Sequence, residues 1–136
     1  MLKKQITYTD YNDVERKEDF YFNLSKAEIM EMELSTEGGL AEMIQKIIAT
    51  QDTPSIIKVF KDLVLKAYGE KSADGKQFVK IDDNGVKLAN KFAQTEAYSV
   101  LFMELATDAD AAAAFVNGIV PKDLEVPKDS LPAANN

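Results

Sequence analysis

The alternation of apolar and polar side chains at the start of the chain predicts a β-hairpin over residues 3–23. Ile6 and Tyr8 are separated by polar neighbours at the two-residue period of a strand. Asn12 and Asp13 both tolerate a positive φ angle, so we place the turn there. This hairpin is the only β-structure that the pattern predicts clearly.

The returning strand is expected over residues 14–22 and changes character along its length. Its middle carries the charged residues Arg16, Lys17, Glu18 and Asp19, so we expect its first half to be mostly solvated. Further along, Phe20 and Phe22 are expected on one face and Tyr21 on the other, because successive side chains of a strand point to opposite sides.

Helical periodicity then predicts a compact bundle of about five helices over residues 25–118. Ser25 and Glu28 have the spacing of a capping box, and Leu24 and Ile29 have the spacing of the hydrophobic staple that accompanies it. A second helix is predicted from apolar residues that recur at helical spacing, namely Leu40, Met43, Ile44, Ile47 and Ile48.

The third predicted helix begins at Thr53 and Pro54, the residue types preferred at a helix start. It is apolar around most of its circumference, so we expect it at the centre of the fold and buried on several sides. Gly69 is expected to end it as the C′ residue.

The remaining segments alternate between turns and helices. Residues 70–85 are rich in turn signals, with a short strand possible over 78–81. Three further helices are predicted over 86–92, 95–106 and 109–117. Gly118 is expected to terminate the last one in a Schellman motif, followed by Pro121.

These elements predict an α+β fold that is mainly α, organised as a single globular domain over residues 1–120. Three of the four prolines lie from Pro121 onward, and we interpret residues 121–136 as a flexible C-terminal tail. The alternative is a docking peptide, although Leu124 and Val126 offer it little apolar anchorage.

The composition argues against most kinds of chemistry. The 136 residues include no histidine, cysteine or tryptophan, so there is no imidazole base, thiolate nucleophile or Cys/His metal ligand. The net charge of −7 disfavours nucleic acids and anionic membranes as partners. No apolar run reaches the roughly 20 residues that span a bilayer. We therefore expect no enzyme activity, no cofactor and no metal.

One segment resembles a calcium-binding loop. Asp82, Asn84 and Gly85 supply part of the pattern, but aligning Gly85 with its glycine position puts Lys80 and Lys91 where carboxylates are required. Turn formation is therefore the better interpretation.

The first predicted helix is acidic, and two of its carboxylates are candidates for an acid–base pair. Glu28 and Glu31 would share one face of that helix. A solvated acidic face is the preferred interpretation, because like charges at helical spacing need only water. Glu28 is also explained already as the capping partner of Ser25.

Candidate partner-contact residues are Tyr11, Tyr21 and Met32. Met32 lies off the spacing that connects Met30 with Leu34, so we expect it to be an exposed apolar contact. Tyr11 and Tyr21 lie in the predicted hairpin, where tyrosines can form an adhesive interaction edge or pack ordinarily across strands. The sequence leaves both interpretations of these tyrosines open.

Three stretches resemble a known family: FYFNLSKAE at 20–28, IIKVFKDLVLKAYG at 56–69 and GIVP at 118–121. Together they resemble the tail assembly chaperones of long-tailed, siphovirus-type phages and prophages, over about residues 5–121. The resemblance implies a non-enzymatic factor that coats the tape measure protein and helps recruit tail tube protein. It also implies action in the cytoplasm of the bacterial host, absence from the mature virion and, in many members, a longer frameshifted product.

The chaperone hypothesis leaves the formation of homo-oligomers open. Two other functions compete with it. One is a structural virion component, such as a minor tail or head–tail joining protein, which would be present in finished particles. The other is a carboxylate-dependent enzyme, which the absence of histidine, cysteine and a metal motif disfavours.

Overall fold

The computed structural model describes residues 1–35 and 53–121. The helix predicted around residues 40–48 and the tail predicted beyond Pro121 lie outside the described residues. The described elements are, in chain order, β1 (Leu2–Thr9), β2 (Glu15–Phe22), α1 (Lys26–Ser35), α2 (Thr53–Ala67), β3 (Tyr68–Lys71), β4 (Phe78–Val79), α3 (Leu88–Phe92), α4 (Glu96–Thr107) and α5 (Ala109–Ile119). They confirm the predicted α+β class.

The N-terminal hairpin forms as predicted. β1 and β2 pair antiparallel along their full lengths, from Leu2 opposite Phe22 to Thr9 opposite Glu15. Asp13 has a φ angle of 63°, which confirms the turn at this position. The hairpin is therefore a regular ladder closed by a turn that its own sequence specifies.

The sheet is larger than the predicted hairpin, because β3 and β4 extend it in the order β1-β2-β3-β4. β4 lies within the short strand predicted over residues 78–81, whereas β3 was not predicted. β3 pairs with β2 through Tyr21 opposite Gly69. The prediction that Gly69 ends α2 as a helix cap is therefore wrong. A Cβ atom at Gly69 would lie 2.6 Å from the Phe78 ring and 2.8 Å from the Val79 carbonyl oxygen. Glycine is needed here for the close approach of β4.

The core is an aromatic cluster between the sheet and the C-terminal helices. Phe22 is fully buried, and its ring lies 5.2 Å from that of Phe115 and 5.8 Å from that of Phe92. The Phe20 ring also contacts Phe92, at 5.3 Å, so Phe20 and Phe22 share a face as predicted. Edge-on and tilted ring pairs of this kind add stability beyond the burial of their area.

Helix α2 packs through one stripe among its described side chains, where Phe60, Leu63, Val64 and Ala67 are buried. Ile57 lies one turn before Phe60 at the spacing of this stripe, yet it is exposed. The expectation of burial on several sides is therefore wrong at Ile57. Among the described helices, α3 and α4 make the most extensive contacts with α2.

Helix α5 continues through Gly118 and ends at Ile119, so the predicted cap at Gly118 is wrong. A Cβ atom at Gly118 would lie 3.0 Å from the Leu2 side chain. The small residue thus lets α5 approach β1. Val120 then adopts an extended conformation, and the Ile119 carbonyl accepts a 2.7 Å hydrogen bond from the Leu24 amide.

Candidate functional site

An exposed apolar strip runs along the outer side of helix α4. Val100 and Met103 are exposed, whereas Ala97, Leu101 and Leu105 on the same helix face the core. This arrangement is unusual for an amphipathic helix, because apolar residues stand on both its inner and its outer side. Such an outer side is a candidate contact surface for another protein.

The hairpin turn adds a tyrosine to this strip. Tyr11 is 75% exposed, and its hydroxyl donates a 2.8 Å hydrogen bond to the Glu96 carboxylate in the first turn of α4. This hydrogen bond raises the pKa of Tyr11 above its usual value. Glu96, Val100 and Met103 follow one another at helical spacing. We call Tyr11, Val100 and Met103 the α4 stripe.

Carboxylates flank the α4 stripe and are held in place by the hairpin. Glu96 accepts the hydrogen bond from Tyr11, and Glu104 forms an ion pair with Lys4 of β1 at 3.1 Å. An apolar strip with acidic flanks suits the apolar face of an amphipathic helix that carries lysine or arginine beside it.

A second candidate site, which we call the Lys80 cleft, lies beside β4. It has a volume of about 190 Å³. The residues that line it are Glu28, Leu65, Lys66, Tyr68, Lys80, Ile81, Lys87 and Ala89. It is thus a small, largely apolar cleft with an ion pair inside it, which is a common composition for a peptide or ligand site.

Lys80, one of the residues that line this cleft, connects three parts of the fold. Its ammonium group donates to both Glu28 carboxylate oxygens, at 2.8 and 2.6 Å. It also donates to the Asn23 and Lys66 carbonyls, each at 2.8 Å. The Lys66 carbonyl belongs to the last turn of α2, where helix carbonyls lack partners and carry partial negative charge. Lys80 therefore caps α2 from outside the helix.

Burial and pairing act in opposite directions on this ion pair. Burial lowers the pKa of Lys80 below its usual value, although Glu28 partly counters the effect. Burial alone would raise the pKa of Glu28, but hydrogen bonds from Lys80 and Ser25 overcome it and leave that pKa below its usual value. Glu28 is therefore ionised at neutral pH, and it holds the capping box and Lys80 together.

The capping box itself is formed as predicted. The Glu28 amide donates to the Ser25 hydroxyl at 3.1 Å, and the Ser25 amide donates to the Glu28 carboxylate at 2.8 Å. Glu28 is thus a structural residue at the start of α1. This structural role of Glu28 supports neither its interpretation as half of an acid–base pair with Glu31 nor its interpretation as part of a solvated acidic face.

Comparison with known proteins identifies the family. The family model described as phage tail assembly chaperone matches residues 1–131, nearly the whole chain. The chain belongs to the phage tail assembly chaperones. Comparisons with curated proteins and with solved structures give no match. Membership implies a non-enzymatic role in assembly, with protein partners.

The chaperone's three predicted contact residues have different environments. Tyr11 is exposed as part of the α4 stripe. Tyr21 is half-buried on the outer face of the sheet, with the Lys71 ammonium group 6.0 Å from its ring centre. Met32 is only 5% exposed, so the expectation of an exposed Met32 is wrong. Met32 lies one turn after the buried Ile29 and shares its inward side, whereas Met30 points outward.

The chaperone's hairpin tyrosines do not form one common edge. Tyr8 lies on the inner face of the hairpin, where its ring is 6.3 Å from that of Phe20, which is ordinary packing. Tyr11 is in the turn. Tyr21 is near the other end of β2, about 20 Å from the start of that strand at 3.4 Å per residue. Tyr21 as a partner contact stays a prediction.

The turn around Asp82 uses its carboxylate for backbone hydrogen bonds. Its Oδ1 atom accepts from the amides of Asn84 and Val86, both at 2.9 Å. This geometry supports the turn interpretation over a calcium loop. Within residues 1–35 and 53–121, no group of carboxylates is arranged to hold a metal ion. In the same part of the chaperone, no helix is both long enough and apolar enough to cross a bilayer.

Sequence reasoning missed Val100, Met103 and the role of Lys80. Ala97, Leu101 and Leu105 form the buried side of α4, and Val100 and Met103 lie off that side. The helical spacing of the sequence therefore indicated that they point outward. Lys80 had none, because its partner Glu28 is 52 residues away in the sequence. The periodicity of the sequence therefore indicates the exposed residues of the α4 stripe, whereas only the tertiary structure brings the residues of the Lys80 cleft together.

Proposed function

We propose that this chaperone uses the α4 stripe to bind amphipathic helices of the tape measure protein. It thereby keeps that protein soluble and helps tail tube protein assemble around it, in the host cytoplasm and without entering the mature virion. Family membership supports the role in assembly. The assignment of the α4 stripe as the binding surface rests on the exposure of Val100 and Met103. The Glu96 and Glu104 carboxylates on either side are held by Tyr11 and Lys4.

The α4 stripe has the properties that such a client requires. Burying an apolar side chain such as Val100 or Met103 against a client helix contributes about 1–2 kcal/mol. Hydrogen bonding fixes Tyr11 against Glu96 before any client arrives, so less side-chain entropy is lost on binding. The carboxylates favour clients with basic flanks and repel acidic ones.

The chain offers a closely matched pair of variants for a test. Met103 is 59% exposed on α4, and Met30 is 60% exposed on α1. Both can be changed to glutamate with the same change of charge and little effect on the core. We expect Met103→Glu to reduce the soluble fraction of co-expressed tape measure protein at least threefold, whereas Met30→Glu leaves it unchanged.

The outcomes test the proposed binding surface and the proposed function separately. Equal loss, or no loss, in the two variants would show that the α4 stripe is not the binding surface. Failure of the wild-type chain to keep the tape measure protein soluble would contradict the function itself. Stoichiometric copies in purified particles, measured by mass spectrometry, would favour a structural virion component instead.

A further inference from the structure

We infer that residues 123–126 of this chain dock as an extended strand in its own Lys80 cleft. The occupant is thus a segment that follows the last described residue. This contact is separate from the α4 stripe and goes beyond the proposed function. It predicts that this segment occupies the Lys80 cleft in the free protein.

The position at which α5 ends supports this occupant. The Ile119 carbonyl accepts from the Leu24 amide at 2.7 Å, and the neighbouring Asn23 carbonyl accepts from Lys80 at 2.8 Å. The Ile119 oxygen and the Lys80 nitrogen therefore lie within about 8 Å of each other, given standard peptide dimensions. Lys80 lines the cleft, so α5 ends close to it.

The chain also leaves in a suitable conformation. Val120 is buried and extended, with φ −90° and ψ 151°. Leu124 follows Val120 by four residues, which span up to about 13–14 Å when extended. That reach exceeds the separation of about 8 Å between the Ile119 oxygen and the Lys80 nitrogen. Pro121 and Pro127 bracket the segment, and each disfavours a helical conformation in the residue before it.

The side chains of the segment match the cleft. In an extended strand, Leu124 and Val126 share one face while Asp123 and Glu125 share the other. Leu124 and Val126 then supply two small apolar groups for a cleft whose walls include Leu65, Tyr68 and Ile81.

The charges of the segment also match the cleft. Lys66 and Lys87 line it and are exposed, whereas Lys80 is already paired with Glu28. Asp123 and Glu125 place two carboxylates on the outer side of the docked strand, within reach of these long side chains. A basic rim in a chain of net charge −7 is a local exception, and it favours an acidic occupant.

The absence of cysteine makes disulfide trapping a direct test. Ile81→Cys combined with Val126→Cys places one thiol in the cleft wall and one in the segment. We expect this pair to form an intramolecular disulfide at least about tenfold faster under mild oxidation than two control pairs, because docking raises the effective concentration of the thiols. The first control pairs Val126→Cys with Val14→Cys, an exposed aliphatic position in the hairpin turn. The second pairs Ile81→Cys with Ala134→Cys.

A charge variant tests whether the carboxylates of the segment contribute to its docking. Replacing Asp123 and Glu125 by lysine in the Ile81/Val126 cysteine pair should slow disulfide formation at least threefold, because the segment would then be repelled by Lys66 and Lys87. The same change should leave both control pairs unaffected. The readout is the fraction of cross-linked monomer on non-reducing gels, confirmed by mass spectrometry.

Each outcome decides the question. Equal rates in the test and control pairs would overturn the inference. Disulfide-linked dimers whose rate rises with protein concentration would show that the occupant belongs to a second copy, which would also overturn it. No client is present in the experiment, so its result does not depend on the proposed function.

Discussion

The Lys80 ammonium group donates hydrogen bonds to both carboxylate oxygens of Glu28, at 2.8 and 2.6 Å, across a sequence separation of 52 residues. This pair fixes the residue after β4 to the capping box at the start of α1. It also reaches the last turn of α2 through the Lys66 carbonyl. A single side chain thus connects the edge of the sheet to two helices.

Lys80→Met should lower the free energy of unfolding by about 2 kcal/mol. The change keeps the aliphatic length of the side chain but leaves the Glu28 carboxylate and two carbonyls without their donor. Loss of one partner of a fully buried pair costs about 3–5 kcal/mol, and the expected cost here is smaller because the two side chains are 22% and 26% exposed. Urea denaturation with linear extrapolation measures the change.

Lys91→Met is the matched control for Lys80→Met. Lys91 forms an ion pair with Asp82 at 3.4 Å, but its side chain is 66% exposed. Surface pairs of this kind contribute between zero and about 1 kcal/mol, so we expect a change within about 0.5 kcal/mol. Similar losses in the two lysine variants would contradict the structural role of Lys80.

The acid stability of the protein should depend on Glu28. The pKa of Glu28 in the folded protein is lower than its ordinary value of 4.5. Its contribution to stability is therefore fully present above pH 4.5 and is lost as the pH falls through the lowered folded value. Glu28→Gln should flatten the decline in unfolding free energy between neutral and acidic pH. Glu15→Gln, the same change at an exposed strand position, should leave the decline as it is.

Local sequence signals predicted the parts of the fold whose partners are near in sequence. The Ser25–Glu28 capping box spans four residues, and the hairpin turn at Asp13 is specified by its own residues. The pairing of β3 with β2 joins Gly69 to Tyr21, residues that are far apart in the chain. No local pattern reports such a pairing, so β3 was not predicted as a strand, whereas β4 lies within the short strand predicted over residues 78–81.

The two glycine errors have a common physical origin. Gly69 and Gly118 both follow apolar helical segments, and glycine is the usual residue at a helix end. In the fold, each is instead a point where another element approaches closely, namely β4 at Gly69 and Leu2 at Gly118. The sequence alone does not show whether a glycine is required for its backbone conformation or because a neighbouring element leaves no room for a side chain.

The placement of the methionines was ambiguous for a similar reason. Met30, Met32 and Leu34 alternate along α1, so apolar residues occur on more than one side of that helix. The inward side is set by Ile29 and Met32, one turn apart, which exposes Met30. Tyr11 is exposed, because a turn residue between two strands has few neighbours, and its role as a partner contact stays a prediction.

Gly69→Ala should destabilise the protein far more than Gly118→Ala. The added methyl group at residue 69 would lie 2.8 Å from the Val79 carbonyl oxygen, and this backbone atom can move only with β4. We expect a loss of about 3 kcal/mol, at the upper end of typical overpacking costs. Thermal unfolding followed by circular dichroism measures it.

Gly118→Ala provides the contrast within the same chain. Its new methyl group would lie 3.0 Å from Leu2 Cδ1, at the end of a flexible side chain. Alanine also gains about 1 kcal/mol over glycine inside a helix, which offsets the cost of moving Leu2. The net change should stay within about 1 kcal/mol. A larger loss at residue 118 than at residue 69 would contradict the packing described for both glycines.

Tyr68 should be the tyrosine that ionises near pH 12. Burial, together with the nearby Glu70 carboxylate, raises the pKa of Tyr68 from 10.0 to about 12. The neutral phenol therefore contributes stability below pH 10 that is lost as the pH rises from 10 to 12, because the unfolded chain ionises first. Since the chain has no tryptophan, phenolate absorbance follows this step directly. Tyr68→Phe should remove the step near pH 12 and Tyr21→Phe should retain it, whereas persistence of the step in Tyr68→Phe would refute its assignment to Tyr68.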